Sequence, residues 1–302
     1  MKATDDVLIT QLEKGEKLFH YTSAEGLQGI IGGEFWVTES SFLNDTTEFQ
    51  VATDVFCELL TDRVSNENAC AKIQTAVCDE VNRLTCQAHK EDAAYFGDYV
   101  ISFCLDKDSA LMWSEYSGSG GYCIEFDFDR LLNSFPKPKE IFHGKVVYDH
   151  DEQLALMTKL IENEFFNDSE YYTYLTSWED MEQLTDEQIH DMTPHMSVLI
   201  SCYNMFFKKE CFSGENEYRF IFSCFHDGCL CRDDDYVKQY FRNRNGVLIP
   251  FVKQPLNSLN SIRSIIIGPK NNSDIAAKGV TYLLRNRKIT VPVIKSMMPL
   301  RY

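Results

Sequence analysis

The chain has 302 residues, of which 44% are hydrophobic and 25% charged, and this ordinary globular composition excludes wholesale disorder. A net charge of -17 disfavours bulk binding to nucleic acid or anionic lipid. The late basic residues Lys238, Arg242 and Arg244, with Arg232, leave room for a local basic groove. No apolar run reaches the roughly 20 residues of a membrane helix. The N-terminal residues carry no apolar secretion signal. We therefore expect a cytoplasmic protein whose 11 cysteines are reduced.

The early part of the chain alternates strand and helix signals. The run Lys17–Thr22 predicts a first strand, and Ser23 is placed to cap a short helix that stops at Gly32 and Gly33. Residues 35–38 predict the next strand. Helical spacing follows from Asp45, and a further helix is predicted over 70–84.

The rest of the chain has the same mixture. Strands are predicted at 99–105, 120–127, 146–148, 218–223, 246–250 and 262–267, with alternation in the tail at 289–293. Residues at about 151–207 have a helical pattern and predict an insertion between strands. Because no linker interrupts the chain, we expect one α+β domain over 1–302 with a central mixed or antiparallel sheet.

Two polar residues share one face of the first predicted strand. Alternation places His20 and Thr22 together and turns Phe19 and Tyr21 to the opposite face. The end of a strand that leads into a helix suits hydrogen bonding to a ligand. The alternative is that His20 only satisfies a buried backbone group.

Two further segments have both functional and structural explanations. Around Asn44, a capping box from Asp45 to Glu48 explains the residues without any function. The segment with Trp113, Ser114 and Tyr116 precedes a Gly-rich turn. It would form either the wall of a ligand pocket or part of the core.

The segment from Glu215 to Phe222 predicts a two-faced strand. Its apolar face carries Tyr218, Phe220 and Phe222, and its other face carries Glu215, Glu217 and Arg219. The charged face is either a solvated ion-pair ladder or the lining of a cleft in which a carboxylate stabilises an oxocarbenium-like centre. Thiols and a histidine at 224–231 suggest zinc only weakly, because paired CxxC spacing is absent.

An ordered set of motifs resembles a large, mostly bacterial family of unknown function, the domain-of-unknown-function family 2971. The family pattern begins with HYT, lwls and lND…E and continues with lMWs.Y, GvciEF, E.EyR, iiiGP and a terminal arginine. The matching residues are His20-Tyr21-Thr22, Phe35-Trp36-Val37, Leu43-Asn44-Asp45, Glu48, Phe103, Met112-Trp113-Ser114, Tyr116, 121–126, Glu217-Tyr218-Arg219, 265–269, Ser296 and Arg301.

The layout also resembles ADP-ribosyltransferases of the His-Tyr-Glu type, more distantly. That resemblance implies a split sheet and NAD as substrate, without a metal. It implies that His20 and Thr22 hold the ribose on the adenine side and that Glu217 stabilises the oxocarbenium ion. Four aromatic residues compete for stacking on nicotinamide: Trp36, Trp113, Tyr116 and Tyr122. Other residues expected to contact NAD are Tyr21, Asn44, Ser114 and Arg219.

The leading hypothesis is an NAD-using ADP-ribosyltransferase-like protein in which His20 and Glu217 face one cleft. Its acceptor is an unidentified protein, nucleic acid or small molecule, and a role as toxin or anti-phage effector is expected by analogy. The first alternative is a non-enzymatic binding or regulatory protein. The second is a metal-dependent nuclease built on Asp45, Glu48, Glu125 and Asp127.

Overall fold

A computed structural model describes residues 9–43, 50–87, 96–116, 120–167, 172–226, 236–244, 246–271 and 273–299. The chain divides into two compact units. A sheet unit is drawn from 1–42, 96–145 and 214–302, and a helical unit from 43–95 and 146–213. The expectation of one domain over the whole chain stays a prediction. In the described ranges, every helix is too short or too polar to cross a membrane.

The sheet unit confirms the predicted α+β class with a large mixed sheet. Its strands are β1 (Lys17–Thr22), β2 (Glu34–Glu39), β3 (Phe96–Cys104), β4 (Tyr122–Asp127), β5 (Phe142–Lys145), β6 (Glu217–His226), β7 (Tyr236–Val237), β8 (Gln239–Arg244), β9 (Val247–Pro255), β10 (Ile262–Ile267) and β11 (Val293–Lys295). The main order is β11-β10-β4-β1-β3-β2-β9-β8, while β6 pairs with β3, β5 and β7. Two pairs, β10–β11 and β6–β7, are parallel, and the other described pairs are antiparallel.

Two strands share one edge of β3. Strand β6 pairs with β3 along its whole length, from Phe96 to Cys104. Strands β1 and β2 must therefore both use the other edge. Strand β1 pairs there at Cys104, whereas β2 pairs at Tyr99 and Val100. The gap that this leaves beside residues 101–103 is called the fork below.

The sheet has two different faces. The apolar face carries a core that includes Leu18, Phe35, Phe103, Phe126 and Tyr218. This core also takes in residues of α1 (Ala24–Gly32), α5 (Phe128–Leu132) and α9 (Ser273–Asn286). The opposite face, called the α4 face, carries a smaller cluster that includes Phe19, Tyr21, Cys104, Cys123 and Ile266. Helix α4 (Ala110–Tyr116) adds Met112 and Trp113 to that cluster.

The helical unit contains α2 (Val51–Arg63), α3 (Glu67–Gln87), α6 (His150–Ile161), α7 (Trp178–Met181) and α8 (Asp186–Asn204). The Asp149 carboxylate caps α6 by accepting from the N–H of Glu152 at 2.8 Å. A capping box of Thr185 and Gln188 begins α8. The segment predicted to be mostly helical at about 151–207 is mostly helical where it is described.

Local sequence signals located several elements closely. Strands β1 and β10 have the predicted bounds, and the Ser23 hydroxyl caps α1, which ends at Gly33 with a positive φ of 99°. The predicted strand at 146–148 is wrong. The sheet strand lies earlier, at β5, and Val147 makes only an isolated bridge to Phe207. The β-branched pair at 146–147 has strand propensity, but the chain has already left the sheet.

Candidate functional site

Strand β6 places a buried ion pair on the α4 face. An Nη atom of Arg219 donates to the Glu217 carboxylate at 2.7 Å, and their side chains are 1% and 7% exposed. Between them, Tyr218 turns to the apolar face with Phe220 and Phe222, which confirms the predicted alternation of this strand. Because an unpaired charge is costly to bury, the pairing offsets part of the cost of burying both side chains.

A second carboxylate lies just before the ion pair. Glu215 is buried and accepts a hydrogen bond from the Tyr116 hydroxyl at 2.7 Å. Burial raises the pKa of the neighbouring Cys104 thiol to about 12, and the charges of Asp106, Glu217 and Glu215 add to that rise. The start of β6 and the end of α4 therefore bring two acids, one phenol and one neutral thiol into a small region.

His20 occupies the fork. Its Nδ1 donates to the Ser102 backbone carbonyl at 3.0 Å, which the strand pairing leaves available. The ring lies 5.4 Å from the Phe35 ring and 5.5 Å from the Phe103 ring. Burial lowers the His20 pKa to about 4, and the Arg242 charge lowers it further. His20 is therefore neutral at pH 7, with its Nε2 left as an acceptor.

The strand register separates His20 from Glu217. Phe19 pairs with Cys104, and Cys104 pairs with Glu217, so these three residues lie in one row across the sheet. Laterally paired residues share a face, so Phe19 points to the same side as Glu217. His20, one residue later, points to the opposite side. The prediction that both side chains face one cleft is wrong, because each lies on a different face of the sheet. Their separate roles toward NAD stay predictions.

The neighbours of His20 in the predicted motif make structural contacts. The Tyr21 hydroxyl accepts from the Ser109 N–H at 2.7 Å and donates to the Asp106 carbonyl at 3.1 Å. The Thr22 hydroxyl occupies the space that a Cβ at Gly26 would need. Both residues thus fix the turns that leave β1 and enter α4.

Trp113 is a core residue. Its indole is fully buried, donates to an Asp108 carboxylate oxygen at 2.6 Å and packs edge-on against Tyr21 at 4.8 Å. No open ring face is left for nicotinamide. Ser114 is exposed and Tyr116 is half-buried, so Tyr116 is the accessible aromatic residue of this helix. Asn44 lies outside the described residues.

Trp36 belongs to a separate group of aromatic and basic side chains. It lies on β2 beside Phe251 of β9, and Phe251 lies beside Tyr240 of β8, with ring centroids 5.3 and 5.6 Å apart. The Trp36 indole donates to Glu34 at 2.9 Å. Tyr240 was not identified from the sequence as part of this aromatic group. The available signal was that Lys238, Tyr240 and Arg242 lie at every second position, which puts them on one face of a strand.

The described residues offer little support for a metal site. No group of three His, Cys, Asp or Glu side chains among them is placed to hold an ion. Of the nuclease candidates, Glu125 pairs with Lys17 at 2.6 Å and Asp127 pairs with Arg263. The other two acids, and most of the Cys–His segment at 224–231, lie outside the described residues.

Part of the chain is similar to one protein family. Residues 112–220 match the family described as "Protein of unknown function (DUF2971)". The chain is similar to that family over this stretch. The stretch contains Trp113, Tyr116, Glu217 and Arg219 and begins well after His20. No curated protein and no solved structure matches the chain.

Proposed function

We propose that this protein is an NAD-using ADP-ribosyltransferase-like protein in which Glu217 is the catalytic carboxylate. The observation that carries the proposal is the buried Glu217–Arg219 pair beside the half-buried Tyr116. Breaking the bond between nicotinamide and ribose builds positive charge on the sugar. A carboxylate already fixed in position stabilises that charge without reorganising.

Each nearby residue has a distinct part in this proposal. Arg219 fixes the orientation of Glu217 through a charge-assisted hydrogen bond. Tyr116 is the aromatic residue for nicotinamide, and Glu215 orients it through the phenol hydroxyl. His20 is a positioning residue, because it holds β3 at Ser102, the residue that pairs with Arg219 in the sheet.

The acceptor supplies its own nucleophile, and no residue of this chain needs to form a covalent intermediate. The reaction as proposed uses no metal. A role as a bacterial toxin or anti-phage effector in the cytoplasm follows only from analogy with small transferases of this kind.

Incubation of the protein with labelled NAD and cell lysate tests the proposal. We expect label transfer by the natural protein and a loss of about 100-fold or more in Glu217→Gln, which removes the charge and keeps the shape. Glu125→Gln is the matched control, because Glu125 is also buried and ion-paired, with Lys17, but has no part in the proposed reaction. Label transfer that survives Glu217→Gln would move the catalytic role elsewhere.

The second candidate is a non-enzymatic binding or regulatory protein. The placement of His20 and Glu217 on opposite faces favours it, and so does the ion pair with Arg219, which balances the charge of Glu217 within the fold. Isothermal titration with NAD separates the two candidates. Heat of binding that disappears in Tyr116→Ala supports the enzyme, and an absence of heat supports the binding protein.

A further inference from the structure

Three aromatic rings form a row across the strands β2, β9 and β8. The Trp36 ring is tilted by 32° against Phe251, and Tyr240 stacks on Phe251 at 27°. In the sheet, Thr38 of β2 pairs with Phe251 of β9, and Phe251 pairs with Tyr240 of β8. This register places the three rings on the same face of the sheet. Phe251 is buried at the centre, whereas Trp36 and Tyr240 are half-buried and reach solvent on either side.

Basic side chains lie over these rings. Lys253 is 5.0 Å from the Tyr240 centroid, Lys238 is 5.4 Å from the same ring, and Arg242 is 5.8 Å from Phe251. Such cation–ring contacts hold a long basic side chain near the ring. These six residues, Trp36, Tyr240, Phe251, Lys238, Arg242 and Lys253, are called the ring platform below.

The charge of the ring platform contrasts with that of the chain. The whole protein carries -17, yet the ring platform contains three basic residues and no acid. One acid contacts it, Glu34, which pairs with Lys253 at 2.7 Å and accepts from the Trp36 indole at 2.9 Å. Strand β8 is the last strand in the main order of the sheet. It carries Tyr240 and Arg242, and Lys238 comes directly before it.

We propose that the ring platform binds single-stranded nucleic acid. Bases stack on the half-buried rings of Trp36 and Tyr240 in place of the lysine side chains that lie over them, and phosphates contact Lys238, Lys253 and Arg242. Charge complementarity selects a polyanion, and accessible aromatic rings select one with free π-faces. A duplex keeps its base faces stacked inside, and an acidic peptide has no base to stack. The proposal is independent of NAD and of Glu217, which lies elsewhere on the sheet.

Fluorescence anisotropy with the full chain and no NAD tests this binding. The probes are fluorescein-labelled oligo-dT and oligo-rU of equal length, and both single strands are expected to bind. For three phosphate contacts, the logarithm of the association constant should fall with the logarithm of salt concentration at a slope of about -2. Tyr240→Ala should weaken binding at least about fivefold through lost stacking. Lys238→Gln should reduce the steepness of the salt dependence by about 0.7.

Helix α9 offers a matched control. There Lys278 lies 5.8 Å from the exposed Tyr282 ring, so Lys278→Gln and Tyr282→Ala remove the same chemistry at a different place. Both controls should bind the oligonucleotides as the natural protein does. Thermal unfolding verifies that Tyr240→Ala is folded, and Lys253→Gln gives a second variant that removes no ring.

Three outcomes would overturn the proposal. The first is that neither oligonucleotide binds. The second is equal binding by Tyr240→Ala and Tyr282→Ala. The third is that a duplex or poly-glutamate competes as well as a single strand, which would mean charge attraction without stacking. The result is also distinct from the NAD proposal, since Glu217→Gln should keep full oligonucleotide binding and Tyr240→Ala should keep label transfer from NAD to lysate.

Discussion

The two faces of the sheet around β3 differ in how they accommodate a buried ionisable side chain. On the apolar face, His20 lies among aromatic rings and is neutral because burial lowers its pKa to about 4. On the α4 face, Glu217 is buried and forms an ion pair with Arg219. Burial therefore disfavours the charged form of His20, whereas an ion pair offsets part of the cost of burying Glu217.

This difference bears directly on function. A charged carboxylate already held in position is useful for stabilising a cationic transition state. A neutral imidazole that donates to a backbone carbonyl is instead a structural element of the fork. We therefore expect substitutions on the two faces to differ in size, in pH dependence and in their effect on activity.

The largest effect should come from removing the cation of the buried ion pair. Arg219→Met removes the buried cation that pairs with Glu217, so the free energy of unfolding should fall by about 3–5 kcal/mol. Urea denaturation measures this change. Adding Glu217→Gln to Arg219→Met should recover part of the loss, because the second change removes the carboxylate charge that Arg219 no longer balances.

A surface ion pair gives the control. Lys72 pairs with Asp186 at 2.7 Å, but the two side chains are 49% and 83% exposed. Lys72→Met should cost less than about 1 kcal/mol. Equal losses in Lys72→Met and Arg219→Met would show that burial does not set the energy of the Glu217–Arg219 pair.

The next effect concerns pH on the apolar face. His20 and His143 have ordinary pKa values of 6.5 when unfolded, and burial lowers both to about 4 in the folded chain. Between these values the unfolded chain binds more protons, so the free energy of unfolding decreases as the pH falls from 6.5 toward 4. Each histidine contributes up to about 1.4 kcal/mol per pH unit.

His20→Asn isolates one of these contributions, because its side-chain amide still donates to the Ser102 carbonyl but does not titrate in this range. Unfolding measured at several pH values should show a shallower dependence in His20→Asn. The double variant His20→Asn/His143→Asn should be shallower still. An unchanged pH profile in both variants would contradict the burial of these rings.

The smallest predicted effect tests the turn between β1 and α1. Gly26→Ala places a methyl group where the Thr22 hydroxyl lies and should cost about 1–3 kcal/mol in thermal or urea unfolding. Thr22→Ala in the same chain should relieve the clash.

In α9, Gly279 has no atom within 4 Å of an added Cβ, so Gly279→Ala should stabilise by about 1 kcal/mol. If both glycine variants lose stability, the close contact with Thr22 is not the cause.

Much of the local structure was predictable from the sequence. The bounds of β1 and β10, the Ser23 cap and the apolar side of β6 all follow from short-range signals. The burial of Trp113 was not predictable, because its partner Asp108 and its contact with Tyr21 come from packing of α4 on the sheet. The ring platform also escaped prediction, since Trp36 and Tyr240 are about 200 positions apart in the chain.

Which residues alternate within each strand follows from the amino-acid sequence, because side-chain direction reverses at every residue of an extended chain. This alternation separates His20 from Phe19 and Glu217 from Tyr218. Which of these sets face the same side depends on the register of β1 and β6 against β3, and that register is set by the folded sheet. A shift of one residue in either pairing would have placed His20 and Glu217 together.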